Sequence, residues 1–236
     1  MNKTIVNLQK STIRIFDNNN NLLCQAIIIE IPVKDETNKV RPYLIFSLDA
    51  LKNINSGYLL LKLKNGLFHK VSFDRKFMDE NSIDGFVIYP IAALLNNLLN
   101  NNLAVEYSGI PSTICIDDKI KENLNEIEEM HFYSWDDKIS NLTNSNCIFV
   151  NRNITPIFSS SINNAFVTLS REDIKIGSPA FVINLGGYFA NNDIYMGSRI
   201  VFMGIVEKKD NEYLFVKRSD ALIELINKKF ESKLQQ

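Results

Sequence analysis

The chain has 236 residues, enough to bury one large all-β core or two smaller ones. Its 45% apolar and 22% charged residues exclude a disordered chain, and 26 basic against 27 acidic residues leave a formal charge of −1, with no global electrostatic footprint for nucleic acid or an anionic membrane. The opening Met1–Leu8 lacks the apolar run of a signal peptide, and no stretch reaches the roughly 18 apolar residues of a spanning helix. A soluble protein of the cytoplasm, without membrane or nucleic-acid partners, is expected.

Ile5 and Leu8 are spaced for one face of a short opening helix. Ser11–Phe16 alternates Ile13 and Ile15 with Thr12 and Arg14, the cluster Asn18–Asn21 turns the chain, and Leu22–Ile31 returns as a β-branched strand, which reads as a hairpin. Val40–Leu48 is a strand with Pro42 near its start, and Asp49–Lys52 is one helical turn. Gly57–Lys64 and Leu67–Phe73 flank Asn65-Gly66, which predicts a hairpin on a type I′ turn, whose two central residues need positive φ. Phe86–Tyr89 is a short buried strand stopped by Pro90, and Ile91, Leu94, Leu95 and Leu98 place an amphipathic helix over Ile91–Leu99.

Asn100–Pro111 reads as the crossing between two halves, and Asp117–Glu129 as a charged loop or short surface helix. Seven short strands follow, at Met130–Trp135, Cys147–Val150, Pro156–Ser160, Ala165–Leu169, Pro179–Asn184, Ser198–Val206 and Glu212–Lys217; this spacing suits a barrel or sandwich. Ser219 caps a last helix reaching Lys233, with Leu222, Leu225, Ile226 and Phe230 on one face. The expected organisation is an all-β unit with halves at 1–102 and 103–218 and a C-terminal helix at 219–236.

Little of the chain has metal or cofactor chemistry. Cys24, Cys115 and Cys147 lie far apart among apolar neighbours, which reads as buried inert thiols. Asp117-Asp118 and Asp136-Asp137 lack the alternating ligands of a calcium loop, and Gly186-Gly187 has no following lysine, so a hairpin turn is the better reading there. His69 and His131 are too distant in sequence for a local zinc motif and read as strand residues. No metal and no cofactor are expected.

Four segments, in order, resemble the trypsin-like (chymotrypsin-fold) serine peptidases in their compact bacterial form. Ser11–Phe16 with Gln25–Ile31 is similar to the first hairpin, and Tyr43–Leu51 to the strand and turn that deliver the family's histidine. Asp84–Ile91 is similar to the segment with the family's aspartate, and Ile176-Gly177-Ser178-Pro179-Ala180-Phe181 to the nucleophile turn. The resemblance implies two antiparallel six-stranded β-barrels and a C-terminal helix.

It also implies a triad that this chain does not hold. The matched positions carry Ile176 for the serine, Asp49 for the histidine and Asp84 for the aspartate, so no nucleophile and no base stand in place. Ile174 replaces the first glycine of the turn, against the backbone geometry of an oxyanion hole. The expectation is a catalytically inactive homologue that binds a protein or peptide in a cleft near Asp49, Asp84, Ile176, Gly177 and Ser178. The rivals are an active hydrolase using Ser178 with His69 or His131, and a structural subunit using a strand edge or the last helix.

Overall fold

The computed structural model describes residues 3–33, 36, 39–118, 120, 130–135, 149–154, 156–157, 165–185, 188–190, 193–195 and 198–231. The chain begins with helix α1 (Lys3–Ser11), followed by β1 (Thr12–Asp17), β2 (Leu22–Pro32), β3 (Val40–Ser47), β4 (Ser56–Lys62) and β5 (Phe68–Asp74). A six-residue helix α2 (Arg75–Glu80) then separates β5 from β6 (Ser82–Ile83), and β7 (Phe86–Pro90), helix α3 (Ala92–Asn100) and β8 (Ile110–Pro111) complete the first half. The second half holds β9 (Met130–Trp135), β10 (Phe149–Ile154), β11 (Pro156–Ile157), β12 (Ala165–Leu169), β13 (Pro179–Leu185), β14 (Tyr188–Ala190), β15 (Asp193–Tyr195), β16 (Ser198–Lys209) and β17 (Tyr213–Arg218). A C-terminal helix spans Ser219–Glu231.

Strands dominate, in two large sheets whose main path is antiparallel. The first runs β5-β4-β1-β2-β3-β7-β6, with β8 added in parallel beside β2. The second runs β10-β9-β13-β16-β17-β12-β11, and β14 pairs with β15 as a separate hairpin. If β5 and β6 count as one interrupted strand, and β10 and β11 as another, each half has six strands in the same cyclic order, a-b-c-f-e-d. The expected closed six-stranded barrels are nevertheless not found. Both hydrogen-bonded sheets are open among the described residues, the first because α2 interrupts its last strand. The first sheet also continues past residue 102: Lys64 N–H donates to Ala104 O, Glu106 N–H donates to Lys62 O, and Ile110 pairs beside Ile29.

Side-chain alternation explains why β2, β3 and β7 are nearly continuous apolar runs. Cys24, Ala26, Ile28, Leu44, Phe46 and Val87 point into a core enclosed by the first sheet. Their neighbours Ile27, Ile29, Tyr43, Ile45, Phe86 and Ile88 point the other way, into a middle core shared with Phe181, Phe202 and Ile205 of the second sheet. The C-terminal helix seals this middle core with Leu222, Leu225 and Ile226, each burial contributing about 1.5–3 kcal/mol. The Phe230 ring packs tilted against Tyr43, centroids 5.2 Å apart, so the helix's apolar face is occupied within the chain. A third core, with Met130, Phe132, Phe166, Ile174 and Met203, lies inside the second sheet.

Two turns differ from expectation. The Asn65-Gly66 hairpin exists, but Leu63 N–H bonds Leu67 O across three residues and only Gly66 has positive φ, at 84°. It is a longer loop with a left-handed glycine, because the Asn65 side chain accepts from Leu67 N–H and Asn65 itself is not left-handed. The two-residue turn with both φ positive is Asp84-Gly85, at 47° and 82°, between Ile83 and Phe86.

Helix α2 went unread in the sequence. Asp74 caps it by accepting from Phe77 N–H at 2.8 Å, and Arg75–Asp79 and Lys76–Glu80 pair along its surface. Ser219 also behaves otherwise than as an ordinary cap, for its hydroxyl accepts from Ile116 N–H at 2.9 Å and ties the inter-sheet strap to the last helix.

Candidate functional site

The turn from Ile174 to Ser178 joins the two halves, and each side chain has a separate destination. Ile174 is buried in the second-sheet core, and Ile176 packs against the first-sheet core. The backbone between them is bonded on both sides. Gln25 N–H of β2 donates to Ile176 O at 2.9 Å, while Gly177 N–H donates to Val206 O at 2.7 Å and Val206 N–H to Ser178 O at 3.0 Å. Gly177 has φ 85°, and a Cβ there would stand 1.8 Å from the Gln25 carbonyl oxygen, so only glycine fits. Lys209 closes the preceding loop, its ammonium donating to the carbonyls of Arg171, Glu172 and Ile174.

Ser178 has no exposed surface. Its hydroxyl accepts from Gln25 Nε2 at 3.0 Å and from Lys175 N–H at 3.2 Å. Gln25 Nε2 also donates to Ser134 Oγ at 2.9 Å, Ser134 Oγ accepts from Lys175 N–H at 3.2 Å, and Gln25 Oε1 accepts from Trp135 N–H at 3.2 Å. One buried amide therefore holds β2, β9 and the 174–178 turn together. Inside a protein, such a network is stabilising when its members are satisfied and costly when one is removed.

His131 lies on β9 opposite Phe181 and Asn153, and His69 lies on β5 opposite Leu61.

Asp49 and Asp84 sit on a rim beside this staple, not within it. Asp49 opens a 3-10 turn (Asp49–Leu51), and its carboxylate pairs with Lys52 while its N–H donates to Ser47 Oγ. Asp84 is exposed at its turn and lies 3.5 Å from Lys228 Nζ of the C-terminal helix. A hydrogen bond from Leu48 N–H to Gly85 O at 2.8 Å brings the two turns together.

The residue linking rim and staple is Glu207. It follows Val206 at an irregularity of the β16–β17 pairing, its carbonyl accepts from Ser47 Oγ at 2.7 Å, and its carboxylate lies 3.9 Å from the position of a Cβ on Gly85. Burial holds the Glu207 carboxyl above its ordinary range; Lys217 opposes that shift, Asp49 adds to it, and Lys208 opposes it.

The five residues singled out in the sequence thus gather around Val206–Glu207, in two unlike settings. Gly177 and Ser178 are buried connectors and Ile176 is half-buried against the first-sheet core, whereas Asp49 and Asp84 hold carboxylates at the rim. Sequence reasoning passed over Gln25, Ser134 and Glu207. Gln25 had a legible signal, a lone amide inside the apolar run Leu22–Ile31, where a fully buried polar side chain must find partners.

The two thiols among the described residues, Cys24 and Cys115, are buried. Burial pushes the Cys115 thiol up to about 12, with a Ser219 hydrogen bond opposing the shift and Asp220 reinforcing it, and burial raises Cys24 further. Cys147, Asp136-Asp137 and Gly186-Gly187 lie outside the described residues. Among the described residues no three histidine, cysteine, aspartate or glutamate side chains group as metal ligands, and no helix is long and apolar enough to cross a membrane.

No protein-family model matches this chain, and no curated protein matches it in sequence.

Proposed function

We propose that this chain is a catalytically inactive relative of the trypsin-like peptidases, its two halves keeping that family's architecture as open sheets, that works by binding a protein or peptide partner. The architecture is supported by the cyclic strand order shared by both halves and by the core between them. The observation that carries the inactive reading is the Ser178 hydroxyl: it is fully buried and engaged by Gln25 Nε2 and Lys175 N–H, where a nucleophile needs a base and access to a carbonyl carbon. Ile176 and Asp49 at the matched nucleophile and base positions agree with it.

A fluorophosphonate probe and a casein turnover assay test this. The folded protein is expected to take no label at Ser178 and to leave casein intact; labelling of Ser178, or any other serine, in folded protein overturns the reading. The rim at Asp49 and Asp84 is the surface assigned to the partner, because both side chains reach solvent at the inter-sheet junction. A partner recovered with the native protein should be lost from the Asp49→Lys/Asp84→Lys double variant. Retention by that variant places the partner elsewhere.

A further inference from the structure

Lys64, Asn65, Gly66 and Leu67 form the tip of the β4–β5 hairpin, and all four residues are exposed. Asn65-Gly66 is also the only asparagine-glycine pair in the chain. Gly66 holds φ at 84°, and among the described residues no atom lies within 4 Å of the place where a Cβ on it would stand. The tip has room to rearrange there, on a residue with no side chain to obstruct the turn of its own nitrogen.

The carboxamide of Asn65 is polarised by its neighbour. Its Oδ1 accepts from Leu67 N–H at 3.0 Å, and a donor at that oxygen stabilises the negative charge that forms there when a nucleophile adds to Cγ. Against this, Gly66 N–H donates to Leu63 O at 2.9 Å, and that bond must open before the nitrogen can turn. A single exposed turn bond shifts such an equilibrium by about tenfold at most, so it slows the approach without barring it.

We propose that Asn65 is a site of self-modification, at which the Gly66 backbone nitrogen displaces ammonia from the Asn65 side chain. The Gly66 nitrogen gives its proton to hydroxide and bonds to Cγ. The Cγ–Nδ2 bond then breaks, and Nδ2 takes a proton from water and leaves as ammonia, so that a succinimide ring is closed on the main chain. Water opens that ring at either carbonyl. Addition at Cγ gives aspartate, whereas addition at the Asn65 backbone carbonyl carbon breaks its bond to the Gly66 nitrogen and leaves the chain running through Cγ as isoaspartate. Either acid places a carboxylate next to Lys64, and isoaspartate lengthens the loop that the Leu63 N–H to Leu67 O bond closes.

Asn55-Ser56 and Asn81-Ser82 are internal comparisons, because each also sets an asparagine before a small residue. Ser56 begins β4 and Ser82 begins β6, so both following nitrogens belong to strands, and Asn81 Nδ2 is engaged by Phe77 O at 2.8 Å.

The full chain, kept folded at mildly alkaline pH in water enriched in heavy oxygen, is sampled over time, digested and mapped by mass spectrometry. Asn65 is expected to convert at least about tenfold faster than Asn55 or Asn81, a ratio that a small difference in barrier supplies. Its product should carry solvent oxygen, appear as isoaspartate together with aspartate, and form faster as the pH rises. Asn65→Gln, which would have to close a larger ring, should lose the conversion at this position. Circular dichroism on the same samples reports that the chain stays folded. An Asn65 that stays intact in the folded chain, that converts no faster than Asn55 or Asn81, or that is matched in rate by the glutamine variant overturns the proposal. Each of these outcomes leaves the inactive-peptidase reading untouched.

Discussion

Two polar clusters meet at Trp135 and differ in kind. On one side, its backbone N–H joins the Gln25–Ser134–Ser178 network, which is buried, mutually hydrogen-bonded and bound into the backbone of three segments. On the other side, its ring faces Arg14, the cross-strand partner of Gln25 on β1, at the wall of a cavity. The first cluster has its polar groups pointed at one another, so it positions strands. The second combines cationic groups, rings and space. The contrast teaches that a Gly-Ser-Pro turn resembling a nucleophile loop can serve as a joint between strands, while the neighbouring charged residues gather around β1 and β4.

The largest expected effect breaks the closed cluster at its backbone. Gly177→Ala should destabilise the protein by more than about 3 kcal/mol in urea denaturation, because it adds a clash with the Gln25 carbonyl to a left-handed backbone. Gly85→Ala is the control, for Gly85 has nearly the same φ but no atom nearer than 3.9 Å, and about 1 kcal/mol of strain is expected. Equal losses at both positions would show that close approach to Gln25 is not what Gly177 provides.

Next, Gln25→Leu should cost about 2–4 kcal/mol by the same measurement, since it takes a donor from two buried hydroxyls, which keep only their bonds from Lys175 N–H, and the side-chain acceptor from the Trp135 N–H. In the open cluster, Lys62→Gln should stay within about 0.5 kcal/mol, because Lys62 is exposed and Glu106 keeps its bond to Lys10. A Lys62 effect as large as that of Gln25 would erase the distinction between the clusters.

The smallest effect concerns Glu207, at the edge of the closed cluster. Its folded-state pKa is raised by burial, so the folded chain binds this proton more tightly than the unfolded one, and stability falls as pH rises above the ordinary value of 4.5 toward the raised one. Glu207→Gln should therefore raise the melting temperature at neutral pH and leave it unchanged well below 4.5, as thermal scans at the two pH values would show.

Much of the fold was legible because its signals are local. The hairpin around Asn18–Asn21 follows from β-branched alternation and a turn cluster, and it appears as β1 and β2, with Asn20 at φ 64° and Asp17 accepting from Asn19 and Asn21 N–H. Helix α3 and the C-terminal helix follow from apolar stripes at helical spacing. Other local signals have two meanings. Asp84 resembles a carboxylate placed before a strand, yet Asp-Gly is also a two-residue hairpin signal, and the pairing of Ile83 with Phe86 selects that meaning. Thr12 and Arg14 look like a solvent face by alternation, yet both are buried, since Trp135 donates to Thr12 O and stacks over Arg14.

By itself, the sequence determined the strand-rich class and the positions of most strands and of the helices with apolar stripes. These depend on side-chain period, turn chemistry and residue identity, which act over a few positions. Tertiary structure alone decided that Ile174, Ile176 and Ser178 would enter three different environments, that Gln25 would bridge residues more than a hundred positions away, and that Arg14 would line a cavity. Those outcomes depend on which segment covers which face, and packing two sheets against each other settles that only when the whole chain has folded.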